Sequence, residues 1–267
     1  MWRGLYTAAS GMIAETHRTD TIANNLANSG TAGFKKDVAI SKEFEPMLIR
    51  RINDDDPRTK VTSFKGFHLG SKAPAVGTLG LGSAIAEVAP DHEQGAFQTT
   101  GNPLDVAISG DGYFGVQTPQ GIRYTRDGSF YRAASGQLQT RKGQPVLNTQ
   151  GRPIAIPPDA TSISIGADGS ITSEGQQIGR LMLVSFGDNY RAMRKQGDNL
   201  WVPQEGAEPR PAAGEIQQGC LERSNSNVVT EMVNLIANQR IYEAGSKAVV
   251  TQDAMLEKSV TEVGAAR

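Results

Sequence analysis

The chain has 267 residues, 38% of them hydrophobic, with a mean hydropathy of −0.37 and a formal net charge of −1. That length allows one large domain or two to three small ones, and the near-zero charge supplies no global field to draw the chain to nucleic acid or an anionic membrane. One cysteine, Cys220, excludes an intrachain disulfide and a thiolate metal cluster.

The opening stretch MWRGLYTAASGMIAETHRTD has no sustained apolar segment, and Glu15 and Asp20 interrupt it. It therefore does not read as a cleaved secretory signal. No stretch approaches the roughly 18 apolar residues of a membrane span, so no membrane insertion is expected. From Arg3 to Asn28 apolar or small residues recur at helical spacing: Leu5, Ala8, Ala9, Met12, Ile13, Ile22, Ala23 and Leu26. A helix of that length would run about 38 Å. Asn24, Asn25 and Asn28 crowd its closing turn, although asparagine is a poor residue inside a helix. They are read as polar groups that bond neighbouring backbones or adjacent subunits, or that simply end the helix. Gly30 and Gly33 release the chain, and Phe34 is a candidate anchor where it leaves the helix.

The next segment, 31–73, is mixed. A strand is expected around Phe34–Ile40, and Thr59–Gly82 reads as a flexible or extended connector. The basic pairs Lys35-Lys36 and Arg50-Arg51 are too short for a phosphate-binding tract and read as solvated surface. Asp54, Asp55 and Asp56 lack the spacing of a calcium loop, because three adjacent carboxylates cannot all face one ion. A solvated turn is the expectation there.

Residues 74–219 read as an antiparallel all-β domain. Short runs such as LDVAIS, YFGVQT, IRYTR, SISIG and NLWVP alternate with turn residues. Asp111-Gly112, Asp127-Gly128 and Asp168-Gly169 fall between such runs and signal type I′ hairpins. GDGYFG, Gly110 to Gly115, matches the dinucleotide fingerprint literally. That motif needs a helix after it, whereas strand and turn follow here, so a β-turn is expected. DHEQG, Asp91 to Gly95, brings Asp, His and Glu together, but adjacent side chains diverge on a strand or loop. Tyr113, Phe114, Tyr124 and Phe130 are assigned to the sheet core. No catalytic pattern survives, and no cofactor or metal site is expected. None of His17, His68 and His92 is visibly tied to Cys220.

The last segment, 220–267, returns to helical periodicity from about Asn227 to Val260, with Val228, Met232, Leu235, Ile236, Tyr242, Val249, Leu256 and Val260. Asn227 is a plausible N-cap, and Glu231 lies near the positive end of the helix dipole. The spacing approximates a heptad, which calls for a coiled-coil-like partner. Pairing this helix with the first one gives an α+β multidomain chain: a stalk made by 1–30 and 220–267, carrying the inserted β domain. Stripes poor in large side chains leave such a pair in need of neighbouring copies, and contacts that do not close build an open filament. In the free chain, about the first 30 and last 40 residues should then be protease-sensitive while the β domain resists. Two other classes are weighed against this subunit reading. One is a secreted ligand-binding β domain on a helical stalk. The other is an enzyme, which would need an acid/base pair the sequence does not offer.

TAASGM (Thr7–Met12), ANNLANSGTAGFKK (Ala23–Lys36), TGNPLDVAISGDGYF (Thr100–Phe114), YTRDGSF (Tyr124–Phe130) and SNVVTEMVNLIANQRIYEAGSKAV (Ser226–Val249) resemble, in order, the signature segments of the bacterial flagellar rod and hook family. The resemblance marks Gly101, Asn102, Pro103, Leu104, Asp105, Gly110, Gly112, Tyr124, Gly128 and Phe130 as signature positions of the β domain. It implies that the terminal helices form the inner layer of a tubular axial assembly, with the β domain outside. The implied partners are other copies of the chain and neighbouring rod subunits. The implied route is the flagellar type III export apparatus, without a cleaved signal, to the rod spanning the periplasm. No catalysis is implied. PMLIRRINDDDP and VGTLGLGSAIAEVAPDHEQGAF resemble the proximal rod type, which is favoured; the shared central motifs and the tail also resemble the distal type.

Overall fold

A computed structural model describes residues 2–44, 46–50, 75–157, 160, 162–187 and 192–263. The acidic stretch Asp54–Asp56, His68 and most of the expected connector lie outside the described residues. The chain divides into two compact units: Met1–Asp20, Ala39–Glu87 and Ile236–Arg267 form the first, and Thr21–Val38 and Val88–Leu235 the second.

Two long helices bracket the chain. Helix α1 spans Trp2–Ala27 and helix α2 spans Val228–Lys258, followed by a π-helical turn Ser259–Val263. Asn227 caps α2 as its sequence position suggests: its Oδ1 accepts from the Val229 amide at 2.9 Å and the Thr230 amide at 3.3 Å. These bonds satisfy two of the donors that every helix start leaves open. In the first unit, α1 and the outer part of α2 are joined by an antiparallel strand pair, Met47–Arg50 with Ala75–Leu79.

The second unit is β-rich. Its main sheet has six antiparallel strands in the order Met193–Gly197, Leu200–Pro203, Gly121–Thr125, Tyr113–Thr118, Leu183–Ser185 and Arg210–Pro211. A three-stranded meander, Ile163–Ile165, Ser170–Ser173 and Gln176–Arg180, lies in the same unit. Short pairs join Val106–Ser109 to Glu215–Gln218 and Phe97–Thr99 to Cys220–Glu222. The alternation along Tyr113–Thr118 serves two cores. Phe114 and Val116 pack with Val106, Ile108, Phe130 and Leu138, while Tyr113 joins Tyr124, Met193 and Trp201 on the other side. Phe114 and Phe130 meet edge to face, with ring centroids 5.2 Å apart. The aromatic residues assigned to the sheet core are all buried there.

The Asp-Gly pairs behave differently from the hairpin expectation. Asp111-Gly112 and Asp127-Gly128 connect strands that do not pair with each other. Asp168-Gly169 does close a hairpin, but in a four-residue loop where only Gly169 takes a positive φ, 81°. The two-residue turns with positive φ at both positions are Glu174-Gly175, at 50° and 83°, and Asp198-Asn199, at 54° and 58°. The cross-strand partners on either side fix these turns, so tertiary pairing decided what the dipeptide alone could not. GDGYFG leads into the strand Tyr113–Thr118 rather than a helix, so the dinucleotide geometry is absent.

Candidate assembly interface

Within the first unit, α1 meets α2 at Asn238, Gly245 and Gln252. Asn238 Nδ2 donates to the Glu15 carbonyl at 2.7 Å and to Thr19 Oγ1 at 2.6 Å. A Cβ built on Gly245 would lie 2.9 Å from Met12 Cγ, and one on Gly4 would lie 2.5 Å from Gln252 Nε2. Contacts on α2 therefore fall at 238, 245 and 252, seven residues apart, while their partners on α1 run backward from 19 and 15 to 12 and 4. The two helices run antiparallel through these contacts. A seven-residue interval keeps one face of a helix on its partner. Glycine at 245 lets the two come close, since no side chain intervenes there.

The residues singled out for assembly divide into two groups. Ile22 is buried, and Leu5, Met12, Leu26, Leu235, Val249 and Leu256 are half-buried. Val228, Met232, Ile236 and Tyr242 are exposed, and so are Ile13 and Ala23, which periodicity had placed in the packing stripe of α1. At 100° per residue, Ile236 and Val250 fall on the side of α2 away from Asn238 and Gly245 within this unit. These two are 55% and 65% exposed, and Val229, Met232 and Val233, in the second unit, are 49% to 69% exposed.

The end of α1 belongs to the second unit, and its asparagines have separate tasks. Asn25 is buried and makes a reciprocal pair with the backbone of Asp37: Nδ2 donates to the Asp37 carbonyl and Oδ1 accepts from its amide, both at 2.8 Å. Asn28 turns back on the helix, donating to the Asn24 carbonyl at 2.9 Å and to Asn24 Oδ1 at 3.0 Å. Gly33, at φ 65°, passes so close over the Arg126–Asp127 backbone that a Cβ would lie 2.4 Å from the nearest atom. Only glycine fits both constraints. Phe34 is buried, with the Lys195 ammonium 4.3 Å from its ring centroid. Asn24, Asn28, Phe34, Asp127, Arg141 and Lys195 are among the walls of a cleft of about 860 Å³ in this unit. Burial pushes the Asp127 carboxyl up against the opposing hydrogen bonds from Ser129.

Lys35 overturns its sequence reading. Expected on the solvated surface, it is 1% exposed and bonded to Glu222 Oε1 at 2.7 Å and to the Glu93 carbonyl at 2.6 Å. The other Glu222 oxygen accepts from Arg126 Nε at 2.9 Å. Burial holds the Lys35 ammonium below its ordinary pKa although Glu222 pulls the other way. Next to it, Asn225 Oδ1 accepts from the Lys36 amide at 2.7 Å, and Asn225 Nδ2 reaches the carbonyls of Asp91 and Glu93. Sequence reasoning missed Arg126, Glu222 and Asn225. Their partners lie far along the chain, so no local spacing marks them.

The β-domain signature positions are turn-builders and core. Asn102 Nδ2 donates to Asp105 Oδ1 at 3.0 Å, Thr100 Oγ1 donates to Asp105 Oδ2 at 2.6 Å, and Asn102 Oδ1 accepts from the Leu104 amide at 3.2 Å. Gly101 at φ 74° opens this turn, and Pro103 sits within it. The carbonyls of Gly110 and Gly112 are held by the Arg126 guanidinium. Gly128 lies against the Val106 carbonyl, and Tyr124 and Phe130 are buried. Among the described residues no group of three or more His, Cys, Asp or Glu side chains is placed to hold a metal ion. No described helix is long and apolar enough to cross a membrane.

Three family models match the chain: flagella basal body rod protein over residues 5–35, flagellar hook protein FlgE/F/G D1 domain over 107–173, and flagellar basal body rod FlgEFG protein C-terminal over 217–262. The chain is 35% identical to the flagellar basal-body rod protein FlgG of Bacillus subtilis, over 97% of this chain and 98% of that protein. It is 36% identical to FlgG of Borreliella burgdorferi, over 96% and 97%. It is 34% identical to the rod protein FlgF of Caulobacter vibrioides, over 98% of both.

Proposed function

The chain belongs to the flagellar basal-body rod protein family, as a structural subunit of the rod, and from that premise we propose that it polymerises through α1 and α2, paired as an antiparallel coiled-coil-like stalk. The observation that carries this reading is the exposed apolar surface of α2: Ile236 and Val250 on its side away from α1 in the first unit, and Val229, Met232 and Val233 in the second. Burying each of these side chains against a neighbour is worth about 1.5 kcal/mol or more. A subunit that assembles with other rod subunits has a use for such a face, and a solitary stalk does not. Tyr6 and Ile13 on α1, 65% and 61% exposed, extend the unpaired apolar surface.

The role is non-catalytic in this reading. The chain reaches the rod through the flagellar type III export apparatus and takes its place where the rod spans the periplasm. Within the rod the proximal position is favoured, on the resemblance of residues 46–57 and 76–97. The relatives lean toward the distal type: FlgG of Bacillus subtilis and of Borreliella burgdorferi match at 35% and 36% identity, FlgF of Caulobacter vibrioides at 34%. Cryo-EM of basal bodies carrying a labelled subunit tests the position, and label at the end of the rod away from the inner membrane would refute it.

Two substitutions separate the inner and outer faces of α2. Ile236→Asp puts a charge on the exposed face, so the free monomer should keep its stability within about 0.5 kcal/mol yet fail to enter rods. Leu235→Asp acts on a half-buried position and should lower monomer stability as well. Normal incorporation of the Ile236→Asp chain into purified basal bodies would overturn the interface.

A further inference from the structure

The Lys35–Glu222–Arg126 cluster joins three parts of the sequence in the second unit. Lys35 follows the exit of α1, Glu222 precedes α2, and Arg126 lies in the turn after the strand Gly121–Thr125. Lys35 and Glu222 are separated by 187 residues. Two cations share one carboxylate, and all three groups are almost fully buried, with side chains 1%, 1% and 5% exposed. The carboxylate takes a third donor: Oε1 also accepts from the Gly95 amide at 2.9 Å. The backbone repeats the connection, since the Gly33 amide donates to the Glu222 carbonyl at 2.7 Å and the Asn225 amide to the Phe34 carbonyl at 3.3 Å.

The two cations are not held alike. Arg126 also donates to the carbonyls of Gly112, Ile108 and Gly110, at 3.2, 3.3 and 2.8 Å. It stays anchored in the β core whether or not Glu222 is there. Among the described residues the Lys35 ammonium has two bonds, to Glu222 and to the Glu93 carbonyl. Without the carboxylate, Lys35 would be an ammonium buried beside a guanidinium. Such a group gives up its proton or leaves for water, and leaving pulls on a backbone that Lys195 and Asn199 hold at the Lys35 and Ala32 carbonyls.

We propose that this cluster is an ordering lock: the segment that leaves α1, residues 31–37, takes its place on the β core only when Glu222 closes over Lys35. Synthesis proceeds from the N-terminus, so α1 and its exit exist long before residue 222 does. The base of the first assembly helix is thereby set by the same carboxylate that stands before the second, and a chain lacking its C-terminal part has no ordered base for α1. The chain closes on itself before it is fit to close on a neighbour.

Hydrogen exchange on the full-length chain at neutral pH, read by mass spectrometry, tests the lock. In Glu222→Gln the amides of 33–37 should exchange about tenfold faster or more than in the wild type, while those of 106–108 and 114–116 stay within about twofold. Adding Lys35→Met to Glu222→Gln removes the stranded cation and should restore protection to within about twofold of the wild type. Unchanged exchange at 33–37 in Glu222→Gln would overturn the proposal. So would loss of protection throughout the β core, which would make the cluster an ordinary part of that core. A double variant no better protected than the single one would also overturn it, because the stranded charge would then not be the cause.

Discussion

Single residues carry chemistry here that their sequence neighbourhoods do not advertise. Tyr113 is an example: its ring joins the core with Tyr124 and Trp201, its hydroxyl meets His92 Nδ1 at 2.8 Å, and burial pushes its pKa up to about 12. The ordinary value is 10.0. Between those two values the unfolded chain has given up its phenolic proton while the folded chain keeps it. The stabilising term is present in full below pH 10 and is lost as pH rises toward 12, at about 1.4 kcal/mol per pH unit. Urea unfolding between pH 9 and 11 should therefore show a steeper alkaline loss in the wild type than in Tyr113→Phe. Equal slopes would mean that Tyr113 ionises as freely in the folded chain as in the unfolded one. Lys35 teaches the complementary lesson. A lysine pair in a polar stretch reads as surface, and Lys35 is instead sealed by a carboxylate that no local pattern predicts. Asn25 and Asn28 stand three positions apart, yet one grips the backbone of Asp37 and the other folds back on Asn24. Burial made that distinction, and burial is a property of the tertiary structure.

The elements were legible to different degrees. Both helices follow from their apolar spacing, and their observed limits, Trp2–Ala27 and Val228–Lys258, lie within two residues of expectation at every end. Asn227 is legible as a cap because capping is local. Runs such as Tyr113–Thr118 and Leu200–Pro203 are legible because their residues suit a buried strand. The turns are not. Asp198-Asn199 forms a tight hairpin without a glycine at either central position, and two of the three Asp-Gly pairs join strands that pair elsewhere. The polar seam between the helices was hidden as well, because periodicity searches for large apolar residues and finds nothing at Asn238, Gly245 and Gln252. Gly245 gives the test at this scale. Leucine forms helices better than glycine, so any loss in Gly245→Leu reflects crowding against Met12. Monomer helicity should melt earlier, with a cost of about 1–3 kcal/mol from overpacking. A melting curve at or above that of the wild type would remove Gly245 from the contact.

For the whole molecule, the two units predict a proteolytic pattern finer than a split between helices and sheet. The second unit includes Thr21–Val38 and extends to Leu235, so the last turns of α1 and the first turns of α2 share its protection. Limited digestion of the dilute monomer should trim the helices to about residue 21 and about residue 235 rather than to the ends of the β strands. Mass spectrometry of the resistant core reads the boundary directly. Fragments beginning near residue 38 and ending near residue 219 would show that the helix ends have no such protection.

The seam of Asn238, Gly245 and Gln252 has a thermal consequence. Exposing apolar surface raises the heat capacity of unfolding, and exposing amides lowers it. Separating α1 from α2 uncovers an asparagine, a glycine and a glutamine along with the Met12 side chain, so that step should have a smaller heat-capacity change than parting a seam of leucines. Its free energy would then curve less with temperature than that of a hydrocarbon core, which loosens in the cold. A subunit built this way keeps its helices together in cold water as well as in warm, and keeps its hydrocarbon on the outer face for its neighbours.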